Sequence, residues 1–267
     1  MDSRASTKYI MTNITLIGCG KLGSAIAGGL LNNKQHDISL TICEMNTALL
    51  SKQWNCKLES SIPLSIKGAD IIILCVKPSQ AMAAIDEMKT CITSRQSLCS
   101  TVMGLDIKTL REACSDAKDI IRVMPNIAAG VGQSATCLSF EQRVDQQIIE
   151  VWERLGSVHI IDESLMNAST VMTGSGIAFA LQFLRAMQRG GIAVGFDAAT
   201  SLQLSAQVIS SAIALLQQTA AHPEQLIDQV TTPGGCTIKA LRVFEEKGFD
   251  SAVIEGIVAG VEGIGKK

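Results

Sequence analysis

Three glycines after a short apolar run have the spacing G-x-G-x-x-G. Gly18, Gly20 and Gly23 follow residues 14–17 and precede a segment with helical periodicity. In such a turn the first glycine lets the backbone bend tightly, the second lets a ligand approach the main chain, and the third lets the helix pack against the strand. The N–H groups at the start of the helix favour phosphate. The pattern predicts a turn that binds the pyrophosphate of a dinucleotide.

The glutamate after the second apolar run can affect which dinucleotide cofactor binds. Residues 38–43 form that run, and Glu44 follows where a carboxylate can bind the ribose hydroxyls of a dinucleotide. A carboxylate repels a 2′-phosphate, and residues 45–47 include no arginine to offset it, so the sequence favours NADH over NADPH. Two alternatives remain: the glycines serve only packing, or Glu44 faces solvent and Asn46 contacts the ribose.

Two proline-containing turns follow later strand-like runs. Lys77 comes after residues 70–76, and Asn126 comes after residues 120–124. Ligands bind at the carboxyl ends of strands in open α/β sheets, and proline stiffens such turns. Lys77 therefore suits a phosphate or a ribose, and Asn126 suits the ribose or the nicotinamide. The simpler alternatives are a solvated lysine and an asparagine that only stabilises its own turn.

Apolar runs alternate with helical segments as far as about residue 162, which is typical of a parallel sheet covered by helices on both faces. Right-handed crossovers then give a doubly wound, Rossmann-type parallel sheet, with residues 135–139 and 157–160 as edge strands. Beyond that point the strand-like runs disappear and helical periodicity takes over. We therefore expect an α/β chain with a flexible tail (1–12), a dinucleotide-binding domain (13–162) and an all-helical domain (163–267).

The predicted helices of the second domain are apolar over wide faces. They span residues 164–190, 197–220, 237–247 and 249–263. Such faces are usually buried within a bundle or against another subunit, so we expect a homo-oligomer; a monomeric bundle packed on the sheet is the alternative. Two glycine-rich segments, 172–176 and 231–237, open onto helix starts and can bind a carboxylate through backbone N–H groups. In the alternative the second is a plain turn with Thr237 in a capping position.

Composition narrows the possible partners and the location. The formal net charge of −2 and the 3% of aromatic residues argue against nucleic-acid binding, and no stretch predicts a membrane span. The nine cysteines show neither a C-x-x-C pair nor a Cys/His ligand spacing, so we expect no metal site and no disulfide framework. Reduced cysteines and a polar N-terminal stretch without a signal-peptide pattern indicate a cytoplasmic protein.

In order and spacing, the motifs resemble those of pyrroline-5-carboxylate reductases. The motifs are Ile-Gly-Cys-Gly-Lys-Leu-Gly (17–23), Val-Lys-Pro (76–78), Val-Met-Pro-Asn (123–126), Thr-Gly-Ser-Gly (173–176) and, most specifically, Asp-Gln-Val-Thr-Thr-Pro-Gly-Gly-Cys-Thr-Ile (228–238). The resemblance implies a dinucleotide domain followed by a helical dimerisation domain, assembled as a homodimer or a larger ring of dimers. It also implies the last step of proline biosynthesis, the reduction of 1-pyrroline-5-carboxylate to L-proline with NADH or NADPH.

The resemblance assigns roles to two groups of residues. The cofactor-binding group comprises Gly18, Gly20, Lys21, Leu22, Gly23, Glu44, Val76, Lys77, Pro78, Met103, Pro125 and Asn126. The substrate-binding group comprises Gly174, Ser175, Gly176, Thr232, Gly234, Gly235 and Thr237. The protonated cyclic imine is already electrophilic, so positioning supplies most of the catalysis. The candidate catalytic residues are Thr237, which hydrogen-bonds the ring nitrogen and helps deliver its proton, and Ser175, which lines the pocket opposite the nicotinamide.

Two departures from the family pattern concern residues 177–179 and 103–104. The family usually continues Gly-Ser-Gly with Pro-Ala-Tyr, where this chain has Ile177, Ala178 and Phe179. It usually has Ala-Gly where this chain has Met103 and Gly104. The helix start thereby loses a stiffening proline and a phenolic hydroxyl, and Met103 narrows the nicotinamide pocket. Two alternatives follow: a reductase of another small cyclic imine acid, and a catalytically silent, cofactor-binding dimer.

Overall fold

A computed structural model describes residues 11–32, 37–45 and 54–264 of the 267-residue chain. The chain divides into two units, one ending at Gly174 and the other beginning at Ser175. This division falls later than the boundary predicted after residue 162. Asn46, the alternative ribose contact, lies outside the described residues.

The first unit is built on an eight-stranded sheet. Its strands are β1 (Thr12–Ile17), β2 (Ile38–Cys43), β3 (Lys57–Glu59), β4 (Ile71–Leu74), β5 (Ser97–Ser100), β6 (Ile120–Met124), β7 (Ser134–Phe140) and β8 (Gly156–Ile160). They lie in the order β3-β2-β1-β4-β5-β6-β7-β8, and all neighbours are parallel except β6 and β7. The predicted fold class is confirmed, with one antiparallel pair that was not foreseen. The prediction of β7 as an edge strand was wrong, since it pairs with both β6 and β8.

Helices cover both faces of this sheet. They are α1 (Lys21–Asn32), α2 (Ile62–Ser65), α3 (Pro78–Met88), α4 (Ile107–Ala113) and α5 (Gln146–Glu153). Ile71 and Ile73 of β4 pack with α1 and α5, whereas Ile72 and Leu74 pack with α2, α3 and α4. Because successive strand residues point to opposite faces, a strand that is apolar throughout requires both layers.

Thr12 belongs to β1 rather than to the predicted tail. Its N–H donates to the carbonyl of Asp37 at 2.7 Å, directly before β2. Its hydroxyl accepts a hydrogen bond from Gln147 Nε2 of α5 at 2.5 Å. Arg154, which follows α5, donates to both carboxylate oxygens of Asp37 at 2.7 and 2.6 Å. These bonds fix the amino ends of β1 and β2 to α5.

The second unit is helical, as predicted. Its helices are α7 (Gly176–Ala193), α8 (Ala198–Thr219), α9 (Pro223–Gln229), α10 (Cys236–Glu246) and α11 (Phe249–Glu262); the short α6 (Met166–Ser169) precedes them in the first unit. Asp197 caps α8, accepting from the N–H groups of Ala199 and Thr200 at 3.0 Å. Gly191 of α7 lies against Ser201 of α8, whose hydroxyl donates to Gln188 O at 2.7 Å. Small residues at this crossing let the two helices approach closely.

Helix α8 leaves most of its apolar surface uncovered within the chain. By length and composition it is long and apolar enough to cross a membrane, with a mean hydropathy of 1.4, contrary to the sequence-based expectation that no segment would be. Only 11% of its most apolar window is buried. Leu204, Val208 and Leu215, spaced four and seven residues apart, form an exposed stripe along one face. A surface of this kind marks an interaction site.

Candidate active site

The three glycines of the motif have the three geometries that the spacing predicts. Gly18 has a φ of +91°, and a Cβ there would lie 2.7 Å from the carbonyl oxygen of Cys75. A Cβ on Gly23 would overlap the carbonyl oxygen of Gly18, so this glycine permits α1 to pack on the turn. A Cβ on Gly20 would meet no atom of the described residues within 4 Å. The space above Gly20 is therefore open to a ligand, as a pyrophosphate requires.

Glu44 faces the glycine turn rather than solvent. Its Oε2 accepts a hydrogen bond from the backbone N–H of Cys19 at 2.9 Å, and its own N–H donates to the carbonyl of Glu59 at 3.0 Å. The carboxylate is half-buried at the carboxyl end of β2. An acid fixed beside the glycine turn is the arrangement that recognises ribose hydroxyls in dinucleotide folds.

The candidate cofactor-binding residues lie along one edge of the sheet. Strands β1, β2, β4, β5 and β6 run in the same direction, so the segments that follow them emerge together. Lys21 and Leu22 begin α1, and Lys77 precedes α3. Val76 contacts the turn directly, since a Cβ on Gly18 would lie 2.8 Å from its Cγ1. Strands β2 and β4 lie on opposite sides of β1, so the order of the strands reverses at β1. Ligands bind at the carboxyl ends of the strands at such a switch point.

The loop after β5 is held by a glutamate that the sequence analysis missed. Glu163 Oε1 accepts from the N–H of Ile107 at 2.7 Å and from Nη1 of Arg122 at 3.2 Å. This fixes the end of the loop containing Met103, whose side chain is 40% exposed, and Gly104, which has a φ of +84°. Arg122 could have indicated such a partner in the sequence. It is a charged residue within an apolar strand run, and a buried cation requires a partner of opposite charge.

Asn126 is buried and uses its side chain within the protein. Its Oδ1 accepts from the N–H of Ala128 at 2.9 Å, and its Nδ2 donates to the carbonyl of Thr173 at 3.0 Å. Its backbone N–H donates to the hydroxyl of Ser134 at 3.0 Å. The turn-stabilising alternative is therefore present in the structure, and a contact between Asn126 and the cofactor stays a prediction. Pro125 beside it is also buried.

The first three residues of the Thr-Gly-Ser-Gly segment lie in a π-helical turn. This turn, Thr170–Ser175, joins α6 to α7, and the last glycine of the segment begins α7. The hydroxyl of Thr173 donates to the carbonyl of Ser169 at 2.8 Å. Ser175, the last residue of the turn, is exposed. Helical turns of this type occur frequently at functional sites.

The second glycine-rich segment forms the turn between α9 and α10. Gly234 has a φ of +72°, and the N–H of Gly235 donates to the carbonyl of Thr232 at 3.0 Å. Gly235 is the N-cap of α10, with no side chain capping the helix. Thr237 is thus the second residue of α10, and its prediction as a capping residue was wrong, since glycine occupies that position. An N-terminus without a side-chain cap presents N–H groups to an anion.

The described residues also bear on a metal site, on the cysteines and on a cavity away from the strand ends. Among the described residues there is no cluster of His, Cys, Asp and Glu that could hold a metal ion, and all nine cysteines are free. Burial raises the pKa of the Cys19 thiol, so this side chain is neutral beside the glycine turn. A cavity of about 670 Å³ lies at the opposite edge of the sheet, before β4 and β5, and its lining includes none of the candidate residues. We place the site by the strand ends, because ligands bind there in such sheets.

Comparison with known proteins identifies two families along the chain. Residues 163–265 match the family described as pyrroline-5-carboxylate reductase dimerisation, and residues 13–104 match the NADP oxidoreductase, coenzyme F420-dependent family. The pyrroline-5-carboxylate reductase of Escherichia coli is 30% identical over 257 residues, which cover 93% of this chain and 96% of that protein. Pyrroline-5-carboxylate reductase 1 of Dictyostelium discoideum is 34% identical over 94% of this chain, which spans 49% of that relative's length.

A solved structure agrees with these relatives. The Plasmodium falciparum pyrroline carboxylate reductase with NADP bound superposes with a TM-score of 0.84 at 25% identity, covering 94% of this chain and 96% of that one. Sequence and fold thus agree over both units. The chain belongs to the pyrroline-5-carboxylate reductase family.

Proposed function

We propose that this protein reduces 1-pyrroline-5-carboxylate to L-proline. The observation that carries the proposal is the start of α10, where an N-terminus without a side-chain cap follows the Thr232–Gly235 turn and Thr237 occupies the first helical turn. The exposed N–H groups suit the substrate carboxylate, and the hydroxyl of Thr237 suits the ring nitrogen. The names of the relatives agree with this substrate.

The sheet edge of the first unit suits a nicotinamide dinucleotide. The open space at Gly20 would take the pyrophosphate, Glu44 the ribose hydroxyls, and Lys77 a phosphate or ribose oxygen. When bound, the cofactor supplies the hydride that reduces the C=N bond. We propose NADH as the preferred form, because the carboxylate of Glu44 would repel a 2′-phosphate, although the related Plasmodium falciparum structure contains NADP.

The protein's own groups have a limited task in this reaction. The substrate imine carries a proton on nitrogen, and its carbon is already electrophilic, so no strong side-chain acid is required. Thr237 would orient the ring nitrogen, Thr232 with the amides of Gly234 and Gly235 would hold the carboxylate, and Gly174, Ser175 and Gly176 would line the pocket. Positioning of this kind supplies most of the rate acceleration.

We further propose a homodimer, built into a larger ring of dimers, that works in the cytoplasm and binds neither nucleic acid nor membrane. The exposed stripe of α8 and the dimerisation family match support self-association. Nine free cysteines suit a reducing compartment.

A reductase of another small cyclic imine acid is the second candidate. It is favoured by Phe179, which is 42% exposed near the start of α7 and lacks the phenol usual in the family, and by the exposed Met103. The test is steady-state kinetics with pyrroline-5-carboxylate and pyrroline-2-carboxylate, each with NADH and NADPH. Preference for the first substrate supports the proposal, and preference for the second supports the alternative. Cofactor binding without turnover would indicate a catalytically silent dimer.

A further inference from the structure

Asn126 links the end of β6 to the π-helical turn Thr170–Ser175. Its Nδ2 donates to the carbonyl of Thr173 at 3.0 Å, and the residue is 5% exposed. We propose that Asn126 is a positioning residue, which fixes the π-helical turn and thereby orients Ser175 toward the substrate. The identity of the substrate in this inference rests on the proposed function. The effect of Asn126 on the turn rests on the structure alone.

The carbonyl of Thr173 lies in a part of the helix where the regular pairing changes. In a π-turn an N–H pairs with the carbonyl five residues earlier instead of four, and the geometry is less stable than in an α-helix. The hydroxyls of Thr170 and Thr173 donate to preceding carbonyls, those of Met166 and Ser169. The carbonyl of Thr173 accepts a hydrogen bond from a residue outside the helix, Asn126.

The side-chain amide of Asn126 is oriented by one further hydrogen bond, and its backbone is held by a second hydrogen bond and by the preceding proline. Its backbone N–H donates to the hydroxyl of Ser134, which also shares a hydrogen bond with Thr136 at 3.0 Å. Its Oδ1 accepts from the N–H of Ala128, which fixes the plane of the amide. Pro125 restricts the backbone before it. An amide fixed in this way donates in a defined direction, which is what a positioning group must do.

The turn has little stiffness of its own. Outside its own helical turn, a Cβ on Gly174 would meet no atom of the described residues within 4 Å. Ile177 stands where the family usually has a proline that stiffens the helix start. A hydrogen bond from a rigid outside residue compensates for both features, and its loss should loosen the turn.

The test compares Asn126→Asp with Ser134→Ala. An aspartate keeps the oxygen that caps Ala128 but has no N–H to give to Thr173, whereas Ser134→Ala removes a different buried partner of Asn126 and leaves the Thr173 bond. Hydrogen exchange of the segment 170–180, the Kd for NADH and the KM for pyrroline-5-carboxylate are measured for each. For Asn126→Asp we expect the hydrogen-exchange rate of this segment and the KM for pyrroline-5-carboxylate each to rise about tenfold, because the loss of one hydrogen bond permits a change of that size. The Kd for NADH should change by less than about twofold, which is well below the effect of one lost hydrogen bond. Ser134→Ala should leave the exchange of this segment within about twofold of the original.

The outcomes separate the inference from the proposed function. Unchanged exchange in Asn126→Asp, or a tenfold weaker Kd for NADH with an unchanged KM, would overturn the inference; the second result would make Asn126 a cofactor ligand. If the unmodified protein does not turn over pyrroline-5-carboxylate, the exchange measurement still decides whether Asn126 controls the turn. Should Asn126→Asp fail to fold, Asn126→Ser, which can also cap but cannot donate an amide N–H, takes its place.

Discussion

The backbone N–H of Cys19 donates to Oε2 of Glu44 at 2.9 Å, which joins the glycine turn after β1 to the carboxyl end of β2. The two features that the sequence analysis treated separately, the phosphate-binding turn and the ribose-binding acid, are thus one hydrogen-bonded unit. The negative charge of Glu44 is held where a dinucleotide would place its ribose.

Replacing Glu44 should change the cofactor preference. We expect the unmodified enzyme to have a higher kcat/KM with NADH than with NADPH, and Glu44→Ser to shift the ratio toward NADPH by about tenfold or more, because a repulsive charge near the 2′-phosphate is removed. Glu59→Gln is the control, since Glu59 lies on the neighbouring β3 and pairs with Lys57 at 2.9 Å. An unmodified enzyme that uses NADPH at least as well as NADH would contradict the assignment.

Two alanine substitutions in the glycine turn should have opposite effects. In Gly20→Ala the methyl group meets no atom of the described residues within 4 Å, so Tm should be unchanged. The Kd for NADH should rise about tenfold or more, because the methyl group occupies the space for the pyrophosphate. Gly23→Ala overlaps the carbonyl of Gly18 and should lower the free energy of unfolding by about 1–3 kcal/mol. Thermal unfolding and NADH titration of both variants check this. Equal loss of cofactor affinity and unchanged stability in both would show that the space at Gly20 is not the phosphate site.

Thr237 should contribute through its hydroxyl. Thr237→Val keeps the shape but removes the donor, and we expect kcat with pyrroline-5-carboxylate to fall by about tenfold to a hundredfold, at or below the usual size of a proton-transfer contribution. Thr237→Ser should restore most of the activity. Cys236→Ala changes the preceding, exposed side chain of α10 and should leave kcat nearly unchanged. A Thr237→Val enzyme with normal kcat would remove this residue from the catalytic group.

The exposed stripe of α8 should be buried between subunits. Val208 is 55% exposed within the chain, and a Val208→Glu substitution places a charge in the middle of the stripe. We expect the unmodified protein to have at least the mass of a dimer by light scattering and the variant to shift toward the monomer, because burying an unpaired charge costs several kcal/mol. Gln142→Lys, on the exposed surface of the first unit, is the matched control. A monomeric unmodified protein would argue against the interface.

The pair of Asp37 and Arg154 should make stability depend on acid pH. The hydrogen bonds from Arg154 hold the pKa of Asp37 below its ordinary value of 3.8. The charged form therefore stabilises the fold above that pH, and the stabilisation is lost as the pH falls through the lower pKa of the folded state. Both side chains are 15% exposed.

We expect Asp37→Asn to lower the free energy of unfolding by about 1–2 kcal/mol at pH 7 and by less at pH 3, as measured by urea denaturation. Asp86→Asn removes an exposed pair with Lys89, whose side chains are 49% and 60% exposed, and should cost less than about 0.5 kcal/mol at pH 7. Equal costs for the two variants at pH 7 would mean that the Asp37 pair behaves as an ordinary surface pair.

Two strands could be predicted because their signals are local. Residues 38–43 and 120–124 form β2 and β6 with the predicted bounds. All residues of β6 are buried, as a strand covered on both faces of a parallel sheet requires, whereas in β2 Leu40, Ile42 and Cys43 are buried and Ser39 is exposed. The family resemblance and the helical second unit rested on similarly local motifs. The direction of β7 could not be predicted, because pairing with β6 depends on the path of the chain between them and not on either strand's own residues.

Long-range side-chain contacts explain what else was missed in the site. The bond from Asn126 to Thr173 and the bond from Arg122 to Glu163 each join residues more than forty positions apart, and no spacing rule covers such pairs. The N-cap of α10 was misplaced because a glycine with extended backbone can begin a helix without a side-chain acceptor, so the threonine two residues later was taken for the cap. Local chemistry predicted the candidate site residues, whereas their hydrogen-bond partners could be seen only in the fold.

The most direct test of the proposed reaction follows deuterium from the cofactor to the product. The protein is supplied with pyrroline-5-carboxylate and NADH that carries deuterium at the transferable position of the nicotinamide, and the product is examined by mass spectrometry and NMR. The account predicts L-proline with one deuterium at C5, the carbon of the former C=N bond. Labelled product from pyrroline-2-carboxylate alone, or oxidation of the cofactor without labelled proline, would contradict it.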